Sequence, residues 1–198
     1  MTNQEILMLK NKGYVILRNK VTPEWISKLS KGIDNAFIEH QKTQIKNKND
    51  IKTSGVALHA LLSDNIFIDF LDYLINIGFI DELKGKYFKS NCILNSLSAL
   101  DNIPNQPNFS SVVIIFDSNV WHSSALNTTQ SSRKAIPITI SRSFMKQLLD
   151  YPRAIGYDKM DNFNDDLQQF LGYHSRVPAS LNEWYQPQSN RFYKQNQD

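Results

Sequence analysis

Two residues in the middle of the chain, His122 and Arg133, are of types that do chemistry, and they stand eleven positions apart. An imidazole nitrogen holds a metal ion or moves a proton near neutral pH. A planar guanidinium grips both oxygens of a carboxylate. Both residues lie in one stretch, SVVIIFDSNVWHSSALNTTQSSRKAIPITI, residues 111–140. An apolar run ends at Asp117, Trp121-His122-Ser123-Ser124 follows, and a Ser/Thr/Asn-rich turn leads to a second run that opens with Arg133. That order predicts a hairpin-like pair of strands with His122 and Arg133 near its two inner ends. Strand alternation then groups Ile136, Ile138 and Ile140 on one face, and Arg133, Ala135, Pro137 and Thr139 on the other. A guanidinium among such small side chains leaves room for a ligand. Each residue also has a plain structural role open to it: His122 as a strand-end group, Arg133 as a surface residue, Ser124 and Asn127 as turn formers, and Asp117 as the cap of a strand end.

The elements that must position these groups are legible around them. Thr2 and Glu5 make a capping-box pattern ahead of a helix that Gly13 stops. A first strand follows over Gly13–Leu17. Thr22-Pro23 opens a second helix, whose Trp25, Ile26, Leu29, Ile33 and Phe37 recur at helical spacing as a core stripe. Ser63-Asp64 caps a third helix running to Ile77, with Gly78 after it, and Phe79 to Phe88 reads as a short helical segment. Asn91 to Asn95, Val112 to Asp117 and Lys134 to Ser141 read as strands, the middle one as a buried strand. Ser143 to Asp150 and Asn164 to Leu171 read as helices, and the tail after Pro178 is polar and aromatic. Helices at both ends with strands between make an α+β plan in a single domain over residues 1–198.

Composition narrows the classes. The chain has 198 residues, 41% of them hydrophobic, enough for one sizeable core. Its formal charge is only +3, and its densest basic run, Lys42 to Lys52, has no interleaved aromatics on which bases could stack, so no nucleic-acid partner is expected. The one cysteine, Cys92, permits no internal disulfide and no cysteine zinc site. The N-terminus lacks the apolar core of a secretory signal. Asp69, Asp72 and Asn76 interrupt the longest apolar stretch, so no membrane span and a cytoplasmic location are expected. A homo-oligomer is compatible with all of this. Trp121, Trp184 and Tyr185 have a pocket-lining or subunit-contact role open to them, with packing the expected one, while His40, His59 and His174 are not expected to be metal ligands.

The stretch FDSNVWHSSALNTTQSSR resembles the phytanoyl-CoA dioxygenase family of Fe(II)/2-oxoglutarate-dependent oxygenases. The opening Gly13-Tyr14-Val15-Ile16-Leu17 with Val21-Thr22-Pro23-Glu24, and the closing LGYHSRVPASLNEWYQP, are similar to that family too. The resemblance implies a double-stranded β-helix core of the jelly-roll or cupin type with flanking helices. It also implies iron held by a His-x-Asp pair plus a distal histidine, and 2-oxoglutarate as co-substrate. His122 would be the distal iron ligand and Arg133 the partner of the far carboxylate of 2-oxoglutarate. Ser124 would touch the co-substrate, and Asn127 matches a turn position. The implied activity is hydroxylation of a small molecule; the alternative is a catalytically inactive jelly-roll relative that binds a ligand or a partner.

One part of the family's pattern is missing. A facial triad needs two histidines and a carboxylate, yet no histidine here is followed two residues later by Asp or Glu. A jelly roll needs about eight strands, and about four are evident, a deficit of roughly 40 to 50 residues at one strand and turn per 8–12 residues. The family pattern would place them near residues 101–111, with Asn108-Phe109-Ser110-Ser111 as the candidate join. Either a segment carrying His-x-Asp belongs there and is not in this sequence, or the chain is a shortened, non-catalytic relative.

Overall fold

The computed structural model covers residues 1–198, and its described residues are 1–48, 55–102, 112–123, 132–191, 193, 194 and 197. The chain divides into two compact units, one formed by residues 1–70 with 98–137, the other by residues 71–97 with 138–198.

The first unit begins as its sequence dictates. Helix α1 (Asn3–Lys12) carries the full capping box: Thr2 N–H donates to Glu5 Oε2 at 2.6 Å, and Glu5 N–H donates to Thr2 Oγ1 at 3.2 Å. That backbone donor at Thr2 holds the Glu5 carboxyl below its usual range. Gly13 ends the helix at φ +75°, donating to Leu9 O at 2.9 Å. Strand β1 (Tyr14–Arg18) follows at once. Helix α2 (Pro23–Lys46) is capped by Thr22 and buries Leu29, Gly32, Ile33 and Ala36. Gly32 is required there, since a Cβ would meet Ile66 Cγ2 at 2.5 Å.

Two small antiparallel sheets complete this unit. Strand β1 pairs with β5 (Val112–Phe116), Tyr14 opposite Phe116 and Ile16 opposite Ile114. Strand β4 (Ala99–Asn102) lies between β2 (Val56–Ala57) and β6 (Arg133–Ala135). Its register sets Leu100 opposite Val56 and Ala135, Asp101 opposite Lys134, and Asn102 opposite Arg133.

In the second unit β3 (Cys92–Leu97) pairs antiparallel with β7 (Ile138–Arg142), the register shifting between Leu94 and Ser96. Cys92, Ile93, Leu94 and Leu97 are buried, and burial pushes the Cys92 thiol up to about 11. Also buried in this unit are Ile80 of α4 (Phe79–Glu82), Tyr151 of α5 (Tyr151–Ile155), Met160 of α6 (Tyr157–Met160), and Leu167 and Phe170 of α7 (Asp165–Phe170). The Tyr151 hydroxyl accepts the Leu97 N–H at 3.1 Å. The helix α3 (Ile66–Asn76), anticipated from Ser63-Asp64, starts in one unit and ends in the other, with Asp64 Oδ1 accepting the Ile66 N–H.

The α+β class stands, but three readings of the sequence do not. Residues 134–141 are not one strand: β6 stops at Ala135 and β7 starts at Ile138. Pro137 has no N–H to give a ladder, and its carbonyl accepts from Ser98 N instead. Residues 143–150 are not a helix. Asn95 Nδ2 takes the Lys146 carbonyl at 3.0 Å, and Gln147 is turned to Leu94 O and Leu171 O. A helix there would also have nothing to bury, since Phe144, Met145 and Leu148 are all exposed. Finally, β5 is half-exposed rather than buried. The candidate join at Asn108-Phe109-Ser110-Ser111 lies outside the described residues.

Candidate functional site

His122 stands just past the end of β5. The turn that carries it is tied to β1, for Asp117 N–H donates to Gly13 O at 2.7 Å. Asp117 Oδ1 accepts from both the backbone and the side chain of Asn119, so its carboxylate shapes the turn. The His122 ring is exposed, tilted against Phe116 at 4.8 Å between centroids. Its Nδ1 lies 2.7 Å from the Val120 carbonyl. A carbonyl only accepts, so Nδ1 carries the proton, and in the neutral ring Nε2 presents its lone pair outward. This is the arrangement that fixes the tautomer of a ligating histidine.

Arg133 opens β6, and the register decides where it faces. Its neighbour Lys134 reaches helix α2, with Nζ 2.6 Å from Asp34 Oδ1 and 3.2 Å from both the Ser30 carbonyl and hydroxyl. With Lys134 on the helix side, alternation puts Arg133 and Ala135 on the opposite face, together with Asn102, Leu100 and Val56. The grouping of Arg133 with Ala135 therefore holds within β6. Pro137 and Thr139 do not extend it, since they lie beyond the break.

Among the described residues the expected pairing of β5 with β6 is not formed. Strand β5 pairs with β1 and β6 pairs with β4, so His122 and Arg133 belong to two different sheets of the first unit. Turn chemistry between 117 and 133 is compatible with a hairpin, but the partners of β5 and β6 come from residues 14–18 and 99–102, which local pattern cannot reveal. Ser124 and Asn127 lie outside the described residues.

The residues present fit only part of an iron site. Among the described residues no group of three or more His, Cys, Asp or Glu side chains is arranged to hold a metal ion. His122 supplies one nitrogen, whereas catalytic non-haem iron requires two histidines and a carboxylate.

Two features of this unit escape sequence reasoning. A cavity of about 550 Å³ lies against the C-terminal part of α2, lined by His40, Gln44, Leu58, His59 and Leu62. His59 sits there at φ +55° with its pKa lowered by burial. His40 and His59 are nineteen residues apart in sequence, and only the fold makes them neighbours. The second feature is a row of uncovered apolar side chains on the β1–β5 sheet: Tyr14, Ile16, Ile114 and Phe116, with Trp121 fully exposed beside them. Trp121 and Tyr185 are thus surface residues rather than packed ones, while Trp184 stacks on Tyr193 at 5.6 Å.

Comparison with known proteins adds relatives without a function. No family profile matches the chain, and no solved structure matches it. Over 85 residues it is 41% identical to the uncharacterized proteins Mb1539 of Mycobacterium bovis and Rv1501 of Mycobacterium tuberculosis. The match covers 43% of this chain and 31% of each relative, so the chain spans about a third of their length. With 85 residues making 31% of each relative, those proteins are about 274 residues long.

Proposed function

We propose that this chain carries the distal half of an Fe(II)/2-oxoglutarate dioxygenase site of the phytanoyl-CoA dioxygenase type, acting on a small molecule. The observation that carries the reading is the orientation of Arg133. Lys134 is drawn to Asp34 and Ser30 on α2, and Arg133 is left on the other face, directly opposite Asn102 and on the same face as Ala135, Leu100 and Val56. A guanidinium there, with the Asn102 position beside it and apolar positions beyond, is suited to a carboxylate of 2-oxoglutarate, held by two parallel N–H···O bonds. His122, with Nδ1 donating to Val120 O, offers Nε2 as a single metal ligand.

One imidazole does not make a facial triad. What these residues support is dicarboxylate binding. Oxidation of a substrate C–H bond would need a His-x-Asp pair that this sequence does not contain. The second reading, an inactive jelly-roll relative that binds a ligand or a partner, is favoured by the single ligand at His122.

Titration calorimetry with 2-oxoglutarate tests the core of the proposal. Binding should weaken at least about tenfold in Arg133→Ala, the equivalent of a charge-assisted bidentate pair worth about 1.5–3 kcal/mol. Equal affinity in the variant would refute the role of Arg133. Anaerobic addition of Fe(II) and 2-oxoglutarate separates the two readings: a visible charge-transfer band supports the oxygenase, and dicarboxylate binding without the band supports the inactive relative.

A further inference from the structure

The β1–β5 sheet has one finished face and one bare face. Val15 and Leu17 point inward and are 1% exposed, while Tyr14, Ile16 and Arg18 alternate to the outside. The antiparallel register sets Tyr14 directly opposite Phe116, and Ile16 directly opposite Ile114. These four side chains form a plate: an aromatic pair at one end and an aliphatic pair next to it. Their exposures are 42%, 48%, 46% and 57%, and Trp121, at the aromatic end, is 101% exposed. None of the five carries a charge.

We infer that this plate is the contact surface of a homodimer in which a second copy packs its own β1–β5 face on the first. The area argues for a second copy. A fully exposed aromatic side chain buries about 150–250 Å², so the five residues offer on the order of 500 Å² per protomer. That is about the size of the largest apolar patch on a monomer, where such patches are often functional. Two such plates face to face remove about 1,000 Å² from water, the threshold for a specific interface. The interface is accordingly at the small end for a specific dimer.

Symmetry and charge select the arrangement. A two-fold axis between the sheets and perpendicular to the strands brings the aromatic pair of one copy onto the aliphatic pair of the other, at the usual sheet spacing of about 10 Å. It also keeps the two Arg18 side chains at opposite ends instead of against each other. Each Arg18 then meets the Trp121 end of its partner, where a guanidinium over an indole face is attractive. An axis parallel to the strands would oppose arginine to arginine. The plate borders His122, whose ring packs on Phe116, but the two assignments are tested separately, since dimer mass is read without metal or 2-oxoglutarate.

Sedimentation equilibrium between about 1 and 200 μM tests it. The average mass should rise from 22.9 kDa towards twice that value and stop there. Ile114→Asp should raise the dissociation constant at least about tenfold, and Trp121→Ala several-fold, with far-UV circular dichroism unchanged in both. A constant 22.9 kDa at every concentration overturns the inference. So does a dimer indifferent to both substitutions, which would place the contact elsewhere. A mass that climbs past the dimer without limit also overturns it, since it would signal strand-edge addition in place of a closed pair.

Discussion

Replacing Gly13 with alanine strikes the joint on which the candidate site hangs, and the structure says how much it should cost. Gly13 sits at φ +75°, ends α1, and accepts the Asp117 N–H that ties the His122 turn to β1. A side chain at that φ costs about 1–2 kcal/mol for an L-residue. The added Cβ would also lie 2.2 Å from Val120 Cγ2, which must shift. Overpacking of that kind costs about 1–3 kcal/mol, while the lost freedom of the unfolded chain returns about 0.4–1 kcal/mol. The net loss should be about 2–4 kcal/mol. Val120→Ala removes the offending methyl and leaves the next contact at 3.7 Å, an ordinary distance. In that background Gly13→Ala should cost only its backbone share, about 1 kcal/mol. Urea unfolding of the four proteins, followed by circular dichroism, yields the coupling as a double-mutant cycle. If Gly13→Ala costs the same in both backgrounds to within about 0.5 kcal/mol, the Val120 contact has no energetic weight and the reasoning fails. Because Val120 O holds His122 Nδ1, the His122 ring signals in NMR should move in Gly13→Ala and return towards wild type in the double variant.

The second unit offers two further checks. Tyr151→Phe keeps the buried ring but deprives the Leu97 N–H of its acceptor, so stability should fall by about 1–3 kcal/mol; a change under about 0.5 kcal/mol would mean that the bond is dispensable. Cys92 is fully buried with its thiol pushed up to about 11, so at pH 8 it is protonated and shielded. Its reaction with a disulfide reagent should therefore be slow and accelerate with urea in step with unfolding, and labelling at the rate of a free thiol in native buffer would contradict that burial.

Much of the fold could be read from local chemistry, because it rests on local chemistry. The α1 capping box, the Gly13 stop, the Thr22-Pro23 start of α2 and the Asn164 cap of α7 satisfy backbone groups within four residues. Such signals survive in a single sequence. The segment from Ser143 to Asp150 shows the limit: its apolar spacing suits a helix, but Asn95 of β3 donates to its Lys146 carbonyl, and its Gln147 side chain donates to Leu94 O of β3 and to Leu171 O just past α7. The break at Pro137 was visible as a residue, and its meaning depended on Ser98 arriving to use the carbonyl.

The same division runs through the candidate site. Residue types and spacing were enough to single out His122 and Arg133, and alternation alone grouped Arg133 with Ala135 on one face of β6. The absence of His-x-Asp was likewise plain from the residues, because a ligand that is not in the chain cannot be folded into it. Tertiary structure decided which strands these groups ride on, sending β5 to β1 and β6 to β4. It also decided that β5, an unbroken apolar run, is covered on one side only. Sequence records the hydrophobicity of Ile114 and Phe116, but whether a face is buried depends on what the rest of the chain has left to lay over it.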